Sequence, residues 1–221
     1  MRRGHVKSWQ EMPIKTKFPS RKYASAGAFA LDYATLLAEA LQSVDAAELD
    51  RAVELLSRAI SKDQLIFSCG NGGSAAIANH LTCDCSKGIA TGTGLRPRVF
   101  SLSSTVELVT AIANDVEFAE VFAEQLRTAA RPGDVLMTIS SSGDSENIVR
   151  AIRWARDNDM PTIALTGFSG GRSSELADVN LHVAADNYGV VEDTHQSLMH
   201  ILAQYVRLTA LPADLMAASR F

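Results

Sequence analysis

Two hydrophobic periods alternate along the chain. Short apolar runs bounded by turn residues fall at 64–69 (QLIFSC), 98–102, 134–140, 161–166 and 179–184, and their β-branched and aromatic content predicts five strands. Around them the apolar positions recur at helical spacing. Phe29, Leu31, Tyr33, Leu36, Leu37 and Leu41 make one stripe, and Val53, Leu55, Leu56 and Ile60 a second. Asp45 with Glu48 reads as a capping box opening that second helix. Ile148, Ile152 and Ala155 mark a third helix, and Leu198, Ile201, Leu202, Tyr205 and Val206 a last one over about 191–208. Two helices followed by alternating strand and helix predict an α/β three-layer sandwich: a parallel five-stranded sheet flanked by helices, with an N-terminal helical arm. No internal repeat or linker divides it. The expected organisation is an arm over 1–24 and one domain over 25–221.

Ligands of such a sheet sit beyond the C-terminal ends of the strands, where strand order switches, and there the glycines gather. The first loop, Gly70-Asn71-Gly72-Gly73-Ser74, runs from strand into helix, so its backbone N–H groups can approach an anion at a helix start. It lacks the Gly-x-Gly-x-x-Gly and Lys-Ser/Thr patterns, which disfavours dinucleotides and nucleoside triphosphates and leaves a small phosphorylated ligand. The plain alternative is a tight turn with Ser74 as N-cap. The second loop, Ser140-Ser141-Ser142-Gly143-Asp144-Ser145, sets four hydroxyls beside another helix start, more than a capping turn needs. A third, Thr166-Gly167-Phe168-Ser169-Gly170-Gly171, reads as no more than a turn.

Metal-binding side chains lie close to these loops. His80 and Asp84 stand four apart on the helix after the first loop, stacked on one face, which suits either a metal or a solvated ion pair. On the last helix Glu192 and His200 are separated by about 80° and about 12 Å along the axis, near the limit for sharing one ion. Taken together, His80, Asp84, Glu192 and His200 offer nitrogen and carboxylate donors beside two phosphate-suited loops. That set suits a divalent ion, zinc (Zn²⁺) being the commonest. His195 falls on another side of Glu192, where it can cap or pair with an acid from elsewhere. His5 and His182 are read as non-functional, and Cys83 and Cys85, flanking Asp84, as core or surface thiols.

Composition narrows the setting. A 47% hydrophobic content excludes a disordered chain, and the longest apolar runs fall far short of a membrane span. Three cysteines with no Cys-x-x-Cys pair exclude a disulfide scaffold or zinc ribbon; with no secretory leader, the expected location is cytoplasmic. The net charge of −4 divides into +6 over residues 1–22 and −10 over the rest. A basic arm can meet nucleic acid or a membrane surface. This one has no sustained periodicity and the acidic body offers no basic face, so it reads as a solvated leader, with no nucleic-acid partner expected.

GNGGSAA at 70–76, Ala113-Asn114-Asp115 followed by Phe118 and Val121-Phe122, ISSSGDS at 139–145, ALTGFSGG at 164–171 and the helix from Glu192 to His200 together resemble the sugar isomerase (SIS) domain family. Within it they resemble the phosphoheptose isomerases, over roughly residues 25–210. The resemblance implies the SIS fold and substrate contacts from Asn71, Gly72, Gly73, Ser74, Asp84, Asn114, Asp115 and Glu192. It implies a phosphate cradle of Ser140, Ser141, Ser142 and Ser145, a metal on His80, Asp84, Glu192 and His200, and Asp84 and His200 as catalytic acid–base groups. A homotetramer with shared active sites is implied as well.

Four positions depart from that family's pattern. Asp84 stands where glutamate is usual, Glu192 for glutamine, Gly88 (beside Lys87) for arginine and Gly189 for aspartate. The first shortens a carboxylate and the second adds a negative charge that favours a dication. The implied reaction is aldose–ketose isomerisation of sedoheptulose 7-phosphate to D-glycero-D-manno-heptose 7-phosphate through a metal-assisted enediol. Two alternatives stay open: an isomerase of another sugar phosphate, and a non-catalytic module of the replication-initiator-associating type that binds a sugar phosphate or a protein.

Overall fold

A computed structural model describes residues 17–217 and 219–220, so the basic arm up to residue 16 lies outside the described residues. The chain runs α1 (Ala26–Gln42), α2 (Ala46–Ser61), β1 (Leu65–Gly70), α3 (Gly73–Cys83), β2 (Arg98–Ser101), α4 (Val106–Asp115), α5 (Ala123–Ala129), β3 (Val135–Ser140), α6 (Glu146–Asp157), β4 (Thr162–Thr166), α7 (Gly171–Leu176), β5 (Val179–His182), α8 (Tyr188–Ala210) and α9 (Ala213–Met216). All five strands pair in parallel in the order β2-β1-β3-β4-β5. This is the α/β three-layer sandwich of the sequence reading. The chain leaves β1 toward one edge and returns on its other side with β3, so the switch point lies between β1 and β3.

Strand alternation sorts the core into two layers. Ile66, Met137, Ile139, Ile163 and Leu165 face α2, α3 and α8, where Leu56, Ile77, Leu81, Leu198 and Leu202 are buried. Phe67, Cys69 and Leu136 face the opposite way, against Leu126, Ile148 and Ile152 of α5 and α6. At α2 the side chain of Asp45 accepts from the N–H groups of Ala47 and Glu48, as expected of an N-cap. Glu48 does not close the box. Its carboxylate accepts from Arg51 at 2.6 Å and from the backbone N–H of Asn180 at 3.0 Å, tying α2 to the edge strand β5.

Three features were not foreseen. First, α3 widens after Cys83 into a π-helical turn, Asp84–Ile89. Ile77, Leu81, Cys85 and Ile89 are all buried at intervals of four, a spacing that drifts by about 40° per step on an α-helix; the wider turn reduces that drift. Second, α4 has no buried residue, and Val106 and Leu108 on it are exposed, as is Leu31 on α1. Third, the end of the arm packs down: Phe18 lies 5.0 Å from the ring of Phe29, and its carbonyl accepts from Asn187 at 3.0 Å. Among the described residues no helix is long and apolar enough to cross a membrane.

Candidate active site

The first two glycine loops leave β1 and β3, the strands flanking the switch point. In the first, the helix begins at Gly73 with Gly72 as N-cap at φ +56°, and no side chain caps it. Ser74 is one residue inside and buried, so the turn capped by Ser74 is not the one formed. A Cβ on Gly73 would meet the carboxylate of Glu192, which would have to move aside. Glu192 therefore sits at the N-terminus of α3, where the helix dipole favours a negative charge.

In the second loop Ser140 Oγ accepts from the Gly143 N–H at 3.2 Å and Ser142 Oγ from the Asp144 N–H at 3.3 Å. Ser145 is the N-cap of α6 without a side-chain capping bond. The buried hydroxyl of Ser141 has no partner. An unpaired buried hydroxyl is costly unless something else meets it. Ser140, Ser141, Ser142 and Ser145 line one cavity of about 150 Å³ with Asn71, Ser74, Tyr188 and Glu192.

The loops hold one another. Asn71 and Asn147 form a reciprocal amide pair, each Nδ2 donating to the other's Oδ1 at 2.9 Å. Asn147 is buried in the first turn of α6, and sequence reasoning had not given it a role. The third loop is a buttress rather than a turn. Its Gly167 N–H donates to Ser141 O at 3.0 Å, and Ser173 N–H to Gly143 O at 2.8 Å. Arg172 clamps Asp144 and Glu146 from the same side, holding both carboxyls below their ordinary range, chiefly through its side-chain hydrogen bonds. Gly143 has φ +64°, and a Cβ on it would strike the Gly170 carbonyl oxygen. Gly143→Ala is therefore expected to displace the serine loop and weaken inorganic-phosphate binding about tenfold or more. The fold should lose about 1–3 kcal/mol. Calorimetric titration and thermal unfolding check both, and unchanged phosphate affinity would refute the interlock.

The second half of the site lies farther along α8. Asp84, the first residue of the π-helical turn, takes His80 Nε2 at 3.2 Å on one oxygen and His200 Nδ1 at 2.6 Å on the other. The two imidazoles meet edge to face at 5.0 Å. His200 Nε2 lies 2.9 Å from the Gln196 amide nitrogen, a pattern suited to an imidazole protonated on Nδ1. Gln196 was missed from sequence, although its i, i+4 relation to His200 was available. Donor atoms of His80, Asp84 and His200 lie within 4.8 Å of one another. Two imidazoles and a carboxylate, partly open to solvent, fit a catalytic divalent site with vacant coordination positions.

Glu192 is not in that group. Its carboxylate stands against Gly73, eight residues and about 12 Å along α8 from His200. Cys83 is exposed and Cys85 buried, and neither joins the cluster. Asn114 and Asp115 end α4, exposed and bonded to each other at 2.7 Å, and neither lines the cavity. Near Gly189 the Tyr33 hydroxyl donates to Asp193 at 2.6 Å; burial first and then that carboxylate push its pKa up to about 12.

Comparison with known proteins gives a consistent picture. The SIS domain profile matches residues 31–167. A phosphoheptose isomerase from Azoarcus sp. (strain BH72) is 38% identical over 162 residues, covering 71% of this chain and 81% of that protein. One from Colwellia psychrerythraea is 40% identical over 150 residues, covering 66% and 76%. The structure of a phosphoheptose isomerase from Neisseria gonorrhoeae superposes with a TM-score of 0.74 at 33% identity, covering 81% of this chain and 95% of that one.

Proposed function

Starting from a chain that belongs to the SIS domain family and is a sugar-phosphate isomerase of the phosphoheptose isomerase kind, we propose that it interconverts sedoheptulose 7-phosphate and D-glycero-D-manno-heptose 7-phosphate. One observation carries the choice of a long substrate. The serine cavity reaches α8 at Tyr188 and Glu192, whereas the Asp84–His200 pair meets the same helix at His200. From Glu192 to His200 is about 12 Å along the axis. A phosphate held at one end leaves the carbonyl of a long sugar at the other.

Ser140, Ser141, Ser142, Ser145 and the first N–H groups of α6 hold the phosphate in this reading. Asn71, Gly72, Gly73 and Ser74 line the path between, with Glu192 facing the substrate hydroxyls. Asp84 and His200 form the acid–base pair. One takes the proton from the hydroxyl-bearing carbon next to the carbonyl while the other protonates the carbonyl oxygen, giving an enediol. The hydroxyl proton on the first carbon is then removed as a solvent-exchangeable proton is delivered to the former carbonyl carbon, so the sugar is isomerised without net redox change. His80, Asp84 and His200 would hold a divalent metal such as zinc, which supplies Lewis-acid polarisation of the carbonyl oxygen. A homotetramer belongs to the same proposal, with Asn114 and Asp115 serving a neighbouring subunit's cavity.

The test is turnover of sedoheptulose 7-phosphate in D₂O by zinc-loaded protein, followed by NMR. One solvent deuteron is expected at C2 of the aldose. Chelation should lower the rate more than tenfold, and titrated zinc should bind the wild type at least tenfold more tightly than His80→Ala. Absence of turnover across five- to seven-carbon sugar phosphates would favour the non-catalytic module instead.

A further inference from the structure

Tyr188 has no role in the chemistry above, yet its placement is unusual. It opens α8 at the mouth of the serine cavity and lines it, but its side chain is not covered by protein: the residue is 64% exposed. Its ring is nevertheless held. Phe168 stands against it edge to face, with ring centroids 4.8 Å apart and planes at 84°. Phe168 itself has φ +49°, a conformation that is strained for a bulky L-residue. The surrounding loop maintains it: the Phe168 N–H donates to Ala185 O at 3.1 Å, between Gly167, bonded to Ser141, and Gly170. The same segment that braces the phosphate loop thus carries the aromatic brace for Tyr188.

We propose that Tyr188 is a specificity-determining residue, its braced ring forming the wall against which the phosphate-bearing end of the sugar's carbon chain lies while the serines hold the phosphate. This rests on the sugar-phosphate reading of the site. An aromatic face offers apolar contact to the C–H groups of a sugar, and one fixed by a neighbouring ring loses little rotamer freedom when covered. The ring stands at the phosphate end of α8, away from Asp84 and His200. It acts on binding rather than on proton transfer.

Wild type, Tyr188→Ala and Tyr188→Phe are titrated with inorganic phosphate and with sedoheptulose 7-phosphate. Tyr188→Ala should lose about fivefold in affinity for the sugar phosphate, keep inorganic phosphate within about twofold, and raise KM with kcat little changed; Tyr188→Phe should match wild type. Equal loss for both ligands, no loss for either, a phenylalanine variant as weak as alanine, or an altered sedimentation coefficient would each overturn the inference, the last by making the ring a contact between copies of the chain. Tyrosine-dependent preference for the sugar phosphate without turnover would sink the isomerase reading and leave this one standing. Turnover with an unaffected Tyr188→Ala would do the reverse.

Discussion

Replacing His200 with alanine is expected to lower isomerase activity by about a thousandfold or more while the protein stays folded. General acid–base catalysis alone contributes about 10²–10⁴-fold, and His200 is also one of the three clustered side chains proposed to hold the metal, so its loss would remove two contributions at once. The fold should not notice. The His200 side chain is 37% exposed and its partners, Asp84 and Gln196, are likewise not fully buried. Truncating such a group costs at most about 0.5 kcal/mol. Asp84→Asn should be nearly as damaging, because it removes the carboxylate that both imidazoles share. Gln196→Ala should cost far less, since it touches only the outer nitrogen of His200. Steady-state kinetics with thermal unfolding as the control decides the matter, and activity of His200→Ala within tenfold of wild type would dismiss the assignment.

The second large effect concerns stability, at a histidine given no role in the proposed reaction. His195 is fully buried on α8, and neither ring nitrogen has a hydrogen-bond partner. The Thr166 backbone approaches without hydrogen-bond geometry and offsets the burial only in part, while His182 adds to it; the outcome is a pKa lowered from 6.5 to about 4. The unfolded chain therefore binds the proton more readily than the folded one. His195 leaves stability unreduced above about pH 6.5, and stability falls as the pH drops toward 4, by about 3 kcal/mol in all. His182, also lowered by burial, adds a contribution of the same sign. Denaturant unfolding at a series of pH values should show this slope in wild type. His195→Leu should flatten it, whatever that substitution does to stability at neutral pH. An unchanged slope in the leucine variant would assign the acid sensitivity elsewhere.

What was legible from sequence follows the range of the forces involved. Strand ends fell within about two residues because β-branched runs and flanking glycines are local signals. The serine and glycine loops were legible for the same reason. The contact of Glu192 with Gly73 was not legible, because it joins the first turns of α8 and α3 across more than a hundred residues of chain. The third loop was taken for a turn because its task, propping Gly143 through Gly170, exists only once β3 and β4 are side by side. Helix α4 went unread although Val109, Ile112 and Ala113 stand at helical spacing, because they pack only partly buried against the core. The π-helical turn at Asp84 replaces one local pattern by another of nearly the same spacing, and periodicity does not separate them.

The reciprocal amides of Asn71 and Asn147, with the backbone bonds from Gly167 and Ser173, join three loops of separate strand–helix units into one body. Such a cradle is a mould rather than a jaw. Its ordering is completed during folding, so under the proposed function a phosphate would immobilise few further groups there. On that reading binding at this end should be fast and nearly rigid, and conformational adjustment during turnover should fall to the partly exposed His80, Asp84 and His200 at the other end.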